Sequence, residues 1–257
     1  MAGYDIIGNI AIVKFPDRTG IKEKKKTARR MLKQNKNIKT VLEKKEKVSG
    51  RLRTYKTRFL AGIKTLETIH NESGCRFKLD IEKCYFSPRL AGERLDIARK
   101  IKKDDKVLVL FAGVGSFSIV IARNSRCKKI VSVELGRECC KYARENVKLN
   151  KLDNVKIIQG NVKKLNQGSA TPILGKFDKI IMPRPQLRET FLKYVWKFCK
   201  KGTLVFYYDF GKDADLILRR VENEAKKARK KIKIIEFRKA GNIAPYKHRW
   251  RVDLKIL

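Results

Sequence analysis

Acidic residues are scarce: 26 Asp and Glu stand against 64 Lys and Arg, giving a formal net charge of +38 over 257 residues. An excess of one sign on that scale repels itself, so it calls for an acidic partner, nucleic acid first and an anionic membrane surface second. Histidine is almost missing. His70 and His248 stand far apart, and none of the six cysteines makes a C-x-x-C spacing. A zinc set of thiolates and imidazoles is thereby excluded, metal-dependent hydrolysis falls away, and no metal is expected. Cys75, Cys84, Cys127, Cys139, Cys140 and Cys199 read as buried or isolated thiols; the adjacent pair Cys139-Cys140 lies in a helical stretch, where neighbours point apart. No uninterrupted run of about 18 apolar residues occurs, which excludes a membrane-spanning helix. Met1 to Gly20 carries no cationic stretch followed by an apolar block and a cleavage site, so a cytoplasmic protein is expected.

What is present is a core. Hydrophobic residues make up 42% of the chain, too many for a disordered basic tail. Ile6-Ile7-Gly8-Asn9-Ile10-Ala11 reads as two short strands closed by a turn, and Lys22 to Gln34 as a helix with sparse apolar positions and a very basic solvent face. Thr40 to Val48, Arg51 to Leu60, Thr65 to Ile69 and Arg76 to Phe86 read as strands. After about Pro88 the pattern becomes strand, helix, strand, helix. Val107 to Phe111, Lys129 to Val133, Val155 to Gln159, Phe177 to Met182 and Gly202 to Tyr208 are strand-like; Ser116 to Arg123, Glu138 to Leu149, Leu187 to Lys200 and Asp213 to Lys231 carry the alternation between them. Such alternation predicts a doubly wound, mostly parallel α/β sheet of Rossmann type. Lys233 to Phe237 and Arg249 to Ile256 are expected as edge strands. The division expected is a small basic α+β unit over 1–84 and a Rossmann-like unit over 85–257.

Four signals bear on chemistry. The strand Val107 to Phe111 runs into Ala112-Gly113-Val114-Gly115, where two glycines let a ligand approach the backbone or simply serve turn packing. Glu134 ends the next strand, placed to accept hydrogen bonds from a ribose. Asn161, after the third strand, suits an adenine edge or an N-cap. Met182-Pro183-Arg184-Pro185 ends the fourth strand, either as a rigid face toward a ligand or as a strand-ending turn. The third glycine of a dinucleotide fingerprint is replaced by Ser118, and no Gly-Lys-Ser/Thr loop occurs. A nucleoside without phosphates, S-adenosylmethionine, fits that pattern. Ahead of this unit lies Tyr85-Phe86-Ser87-Pro88-Arg89-Leu90-Ala91-Gly92-Glu93-Arg94, a carboxylate flanked by arginines and preceded by aromatics.

These residues resemble the archaeal and eukaryotic class I methyltransferases that modify guanosine 37 of tRNA. Tyr85 to Arg94 is similar to that family's Y-F-S-P-R-x-x-x-E-R block, and Ile6 to Ala11, Phe111 to Gly115, Glu134 and Phe206-Tyr207-Tyr208 resemble its other motifs. The resemblance implies S-adenosylmethionine as cofactor and tRNA, in particular the anticodon loop of tRNA-Phe, as partner of a monomer. Glu93 is implied as general base and Arg53 as the guanine contact, with Pro183 and Pro185 lining the methyl-transfer site. Tyr85, Arg94, Phe111, Gly113, Gly115, Glu134, Leu135, Asn161 and Val162 are implied around the cofactor. Val109 stands where the family usually has an acid, and Pro183 where it has Asn; the second replacement resembles the wyosine-pathway branch, which methylates both guanosine N1 and C7 of 4-demethylwyosine. The chain is read as beginning at the family's middle domain, with the helix Lys22 to Gln34 expected to hold phosphates. The alternatives are the aminocarboxypropyl transferase of the same pathway and an RNA-binding protein with a decayed cofactor fold.

Overall fold

The computed structural model describes residues 3–46, 50, 53–167, 174–244 and 246–257. β1 (Gly3–Ile7) turns through Gly8 and Asn9 into antiparallel β2 (Ile10–Lys14), with Ile7 opposite Ile10. Only glycine fits that turn: Gly8 has φ 56°, and a Cβ there would lie 2.1 Å from Thr68 Oγ1. The helix α1 (Ile21–Gln34) crosses over to β3 (Thr40–Lys44), parallel to β2, and β4 (Thr57–Gly62) pairs antiparallel with β3. One part of the basic face expected on α1 turns inward. Lys24 is buried, and its ammonium meets Glu43 at 2.7 Å, because a buried charge has to be paired. Lys47, Val48, Arg51 and Leu52, read above as strand, lie outside the described residues.

The larger sheet begins with β7 (Lys106–Leu110), after the short helix α2 (Ala91–Arg99) that carries the Glu93-Arg94 pair. It continues through α3 (Ser116–Asn124), β8 (Lys129–Glu134), α4 (Arg137–Leu149), β9 (Val155–Gln159), β10 (Phe177–Met182), β11 (Cys199–Gly211), α5 (Ala214–Lys227), β12 (Ile232–Ala244) and β13 (Lys247–Ile256). Strand order is β12-β13-β11-β10-β7-β8-β9, and β7 to β11 run parallel. Chain order reverses between β7 and β10, so a crevice opens beyond their carboxyl ends. The hairpin of β5 (Glu67–Glu72) and β6 (Cys75–Asp80) packs on α3 and α4. Asn146 of α4 extends that hairpin as a strand would, accepting from Lys78 N–H at 2.7 Å and donating to its carbonyl at 3.0 Å.

Two expectations are corrected. Leu187 to Lys200 is not an α-helix but a loop with two single turns of tighter helix, Leu192–Tyr194 and Trp196–Phe198. Phe191 sits at φ 63°, a left-handed conformation that an α-helix of L-residues excludes. Arg249 to Ile256 is not an edge strand. β13 lies antiparallel between β11 and β12, with Val252 and Leu254 fully buried, so of these two strands β12 is the one at the edge.

Candidate active site

The crevice at the switch point is a cavity of about 330 Å³. Each wall comes from a different strand end. From β7 come Phe111, Ala112 and Gly113; from β8, Glu134 and Leu135; from β9, Asn161 and Val162; from β10, Pro183, Arg184 and Pro185. Tyr85, Arg94 and Arg53 close it from the side of the smaller sheet.

The glycine turn is held open by the carboxylate of the next strand. Glu134 Oε2 accepts from Gly113 N–H and its Oε1 from Gly136 N–H, both at 2.8 Å. Gly113 has φ 56°, and a Cβ there would meet only the Tyr85 carbonyl, at 3.7 Å, so the backbone is free to lie against a ligand. Gly115 differs: it does not line the cavity, and its Cβ would press on Ile119 Cδ1 at 3.1 Å. It is the packing glycine of the pair. Each Glu134 oxygen keeps lone-pair capacity after its amide bond, as two ribose hydroxyls require. Asn161 realises its bland reading, with Oδ1 capping the next turn through Lys163 N–H at 3.0 Å, while remaining on the cavity wall.

Aromatic and cationic groups form the rest. Phe111 meets Phe191 edge-on at 5.1 Å, and Phe117 meets Tyr208 at 5.9 Å. Arg94 is buried, donates to Glu72 Oε2 at 2.6 Å and to the Ser87 carbonyl at 3.0 Å, and lies 5.0 Å from the Phe86 ring centre. The Arg53 guanidinium covers the Tyr85 ring at 4.5 Å, and its Nε is buried without a partner among the described residues. Burial holds Arg53 below its ordinary value. Burial would raise the Tyr85 phenol, but the nearby Arg53 and Arg249 charges outweigh it and hold the phenol below its ordinary value. Arg184 is buried and donates to the Leu187 carbonyl at 2.8 Å, to the Pro185 and Glu189 carbonyls at 3.2 Å and to the Asp209 carboxylate. The Pro183 to Glu189 loop is thus held by a buried cation, which sequence reading passed over between its two prolines.

Glu93 is the residue that the fold places differently. It is not in the cavity wall: its Oε2 accepts from the Tyr208 hydroxyl at 2.9 Å and from Arg251 at 3.2 Å, and its Oε1 meets Arg238 at 2.7 Å. Tyr208 stands between carboxylate and cavity. Adjacent helical residues point about 100° apart, so Arg94 takes the cavity side and Glu93 the β13 side. Arg249 also lines the cavity and carried no signal in the sequence beyond its strand. Val109 is fully buried in β7. Among the described residues no group of three or more His, Cys, Asp or Glu is placed to hold a metal, and no helix is long and apolar enough to cross a membrane.

Strand order, the open glycine turn, the amide-braced Glu134 and a cavity without phosphate equipment define a class I methyltransferase fold with a site for S-adenosylmethionine. The chain belongs to the TRM5/TYW2 methyltransferase family: that family's domain matches residues 68–235, and the TYW2 N-terminal domain matches residues 1–65. It is 34% identical over 98% of its length, and 74% of the relative's, to the tRNA (guanine(37)-N(1))-methyltransferase Trm5b of Pyrococcus abyssi. It is 30% identical to the tRNA (guanine(37)-N(1))/4-demethylwyosine(37)-methyltransferase Taw22 of Nanoarchaeum equitans, covering 99% of both chains. The tRNA(Phe) (4-demethylwyosine(37)-C(7)) aminocarboxypropyltransferase of Methanocaldococcus jannaschii is also 30% identical, over 98% of this chain and 97% of its own. The structure of aTrm5 in complex with tRNALeu superposes at TM-score 0.88, with 30% identity, 99% of this chain and 72% of that one covered.

Proposed function

We propose that this enzyme transfers a methyl group to N1 of guanosine 37 and to C7 of 4-demethylwyosine in tRNA-Phe. The observation that carries the reading is the cavity itself, with Arg53 and Tyr208 on the acceptor side and the Glu134-braced glycine turn on the cofactor side. S-adenosylmethionine, when bound, supplies the sulfonium methyl. Glu134 holds its ribose, and Gly113, Leu135, Asn161 and Val162 surround its nucleoside. Pro183 and Pro185, kept in place by Arg184, line the path of transfer.

Guanine N1 carries a proton, and its lone pair is delocalised, so a base has to remove that proton while a cation stabilises charge developing on O6. Arg53, with an unpartnered Nε, is that cation. Glu93 is the base, acting through Tyr208: the hydroxyl takes the N1 proton as it passes its own to Glu93. Arg238 and Arg251 meet the Glu93 carboxylate on its other side, at 2.7 and 3.2 Å. The same relay accepts the proton lost from C7. Residues 1–84 present the RNA-contacting surface, with α1 holding phosphates; the protein works as a cytoplasmic monomer without a metal.

The experiment is incubation of tRNA-Phe bearing guanosine or 4-demethylwyosine with the protein and labelled cofactor, followed by mass spectrometry of the nucleoside. Methyl on both acceptors is the expected product. A second reading, aminocarboxypropyl transfer, is favoured by the match of residues 1–65 to the TYW2 N-terminal domain. The larger mass increment would identify it.

A further inference from the structure

The β12–β13 hairpin outruns the sheet that anchors it. β11 ends at Gly211, opposite His248, so the end of the hairpin, with Ile243 in β12, Tyr246 and the first residue of β13, Lys247, projects past the carboxyl edge of the sheet, where the cavity opens. Tyr246 is 80% exposed, at φ 56°, and Ile243 beside it is also exposed. A large aromatic presented to water at a tight turn loses apolar burial, and the fold gains nothing from it there.

The hairpin behind it is braced by side chains. The Trp250 indole donates to the Gly211 carbonyl at 3.1 Å, and its ring stacks on Phe237 at 4.8 Å and 9°. His248 Nδ1 pairs with Asn242 Oδ1 at 2.8 Å across the hairpin. Lys239 lies 5.5 Å above Trp250, so the same surface carries positive charge among its rings. Register shifts between Lys239 and Asn242, and again to Ala244, twist the end of the hairpin as bulges do. Arg249, three residues along β13 from Tyr246, is in the cavity wall, and three strand residues span roughly 10 Å.

An exposed aromatic on a hairpin braced by hydrogen bonds and stacking, with Lys247 next to it and Lys239 further along, and adjoining a nucleoside-sized cavity, has the chemistry of a stacking platform for single-stranded nucleic acid. We propose that the hairpin turn binds the unpaired nucleotides flanking the acceptor base, with Tyr246 stacked on one of them and Lys239 and Lys247 on the adjoining phosphates. The inference rests on the RNA-modifying reading of the cavity and adds to it where the acceptor's neighbours go. It also assigns a use to hydrophobic surface that neither the catalytic site nor the core takes up.

The test uses full-length protein and tRNA transcripts carrying 2-aminopurine at position 36 or at position 38, whose fluorescence falls when the base stacks on an aromatic. Wild type is expected to quench one of the two. Tyr246→Ala is expected to lose that quench and to weaken tRNA binding by roughly five- to a hundredfold, the range of one lost stack, while Tyr246→Trp restores both. Lys239→Ala with Lys247→Ala is expected to lower the slope of log affinity against log salt by about 1.4. S-adenosylmethionine binding and the melting temperature of Tyr246→Ala are expected to match wild type, which separates a surface effect from misfolding. An unchanged quench and affinity in Tyr246→Ala, or no quench by wild type at either position, would overturn the proposal. Binding is read without turnover, so tRNA left unmethylated by wild type counts against the functional reading alone.

Discussion

The hydroxyl of Tyr208 donates to Glu93 at 2.9 Å although the two residues lie 115 positions apart, and it is Tyr208, not Glu93, that lines the cavity. Tyr208→Phe keeps the ring and removes the relay. One hydrogen bond to a charged group contributes about 1.5–3 kcal/mol, so methyl transfer to N1 is expected to slow roughly ten- to a hundredfold, with cofactor affinity unchanged. Single-turnover kinetics beside calorimetry reads both; equal kcat in wild type and variant would remove Tyr208 from the proton path.

Glu134 braces the fold and, in the proposed reading, holds the ligand as well. Glu134→Ala frees two backbone amides, Gly113 and Gly136, besides losing the ribose acceptor. The loss of S-adenosylmethionine affinity is expected to reach about two orders of magnitude by calorimetry, with a lower melting temperature even without ligand. Glu134→Gln, which keeps one acceptor oxygen, is expected to fall between.

Arg184→Met leaves Asp209 short of its buried partner. Breaking a buried ion pair from one side costs about 3–5 kcal/mol, to be read as a shift of the denaturation midpoint in urea. The Pro183 to Glu189 loop would lose its anchor, so cleavage within that loop by trypsin at Arg188 is expected to quicken.

Acid lability follows from Glu72. Burial alone would raise its carboxyl, but hydrogen bonds from His70 and Arg94 outweigh burial and hold it below its ordinary value of 4.5. A depressed folded value means that the unfolded chain binds the proton first. The stabilisation is therefore present above about pH 4.5 and disappears as pH falls through the folded value. Thermal melts from pH 6 to pH 3 are expected to fall less steeply for Glu72→Gln than for wild type.

The thiols are all buried and free. Burial pushes Cys75 up to about 11 and Cys140 and Cys199 up to about 12. A thiol reagent at pH 8 is expected to find almost none of them in native protein and six after denaturation. Cys139, which lines the cavity, is expected to react first and to be protected by S-adenosylmethionine.

Much of this protein was legible in its residues because local chemistry carries it. Period and composition mark strands such as Phe177–Met182, which matches its observed bounds. The glycine turn is visible because positive φ, as at Gly113 and Gly8, favours glycine, and Glu134 because strand alternation places it at the end of β8. The excess of positive charge, and the absence of any metal-binding pattern, need no coordinates at all.

Tertiary structure decided what depends on meetings between distant segments. Glu93 and Arg94 are adjacent and were expected as base and cofactor contact, yet helical geometry sends the two side chains to different partners, Glu93 to Arg251 from β13 and Arg94 to Glu72 from a hairpin. Inserting β13 between β11 and β12 sets Arg249 in the cavity and Tyr246 beyond it, and no local pattern fixes which strand a terminal segment pairs with. The sequence determined the class of chemistry, because backbone freedom and charge are properties of single residues. That Arg94 and Tyr208 reach the cavity wall and Glu93 does not was left to packing, because direction in space is a property of the whole fold.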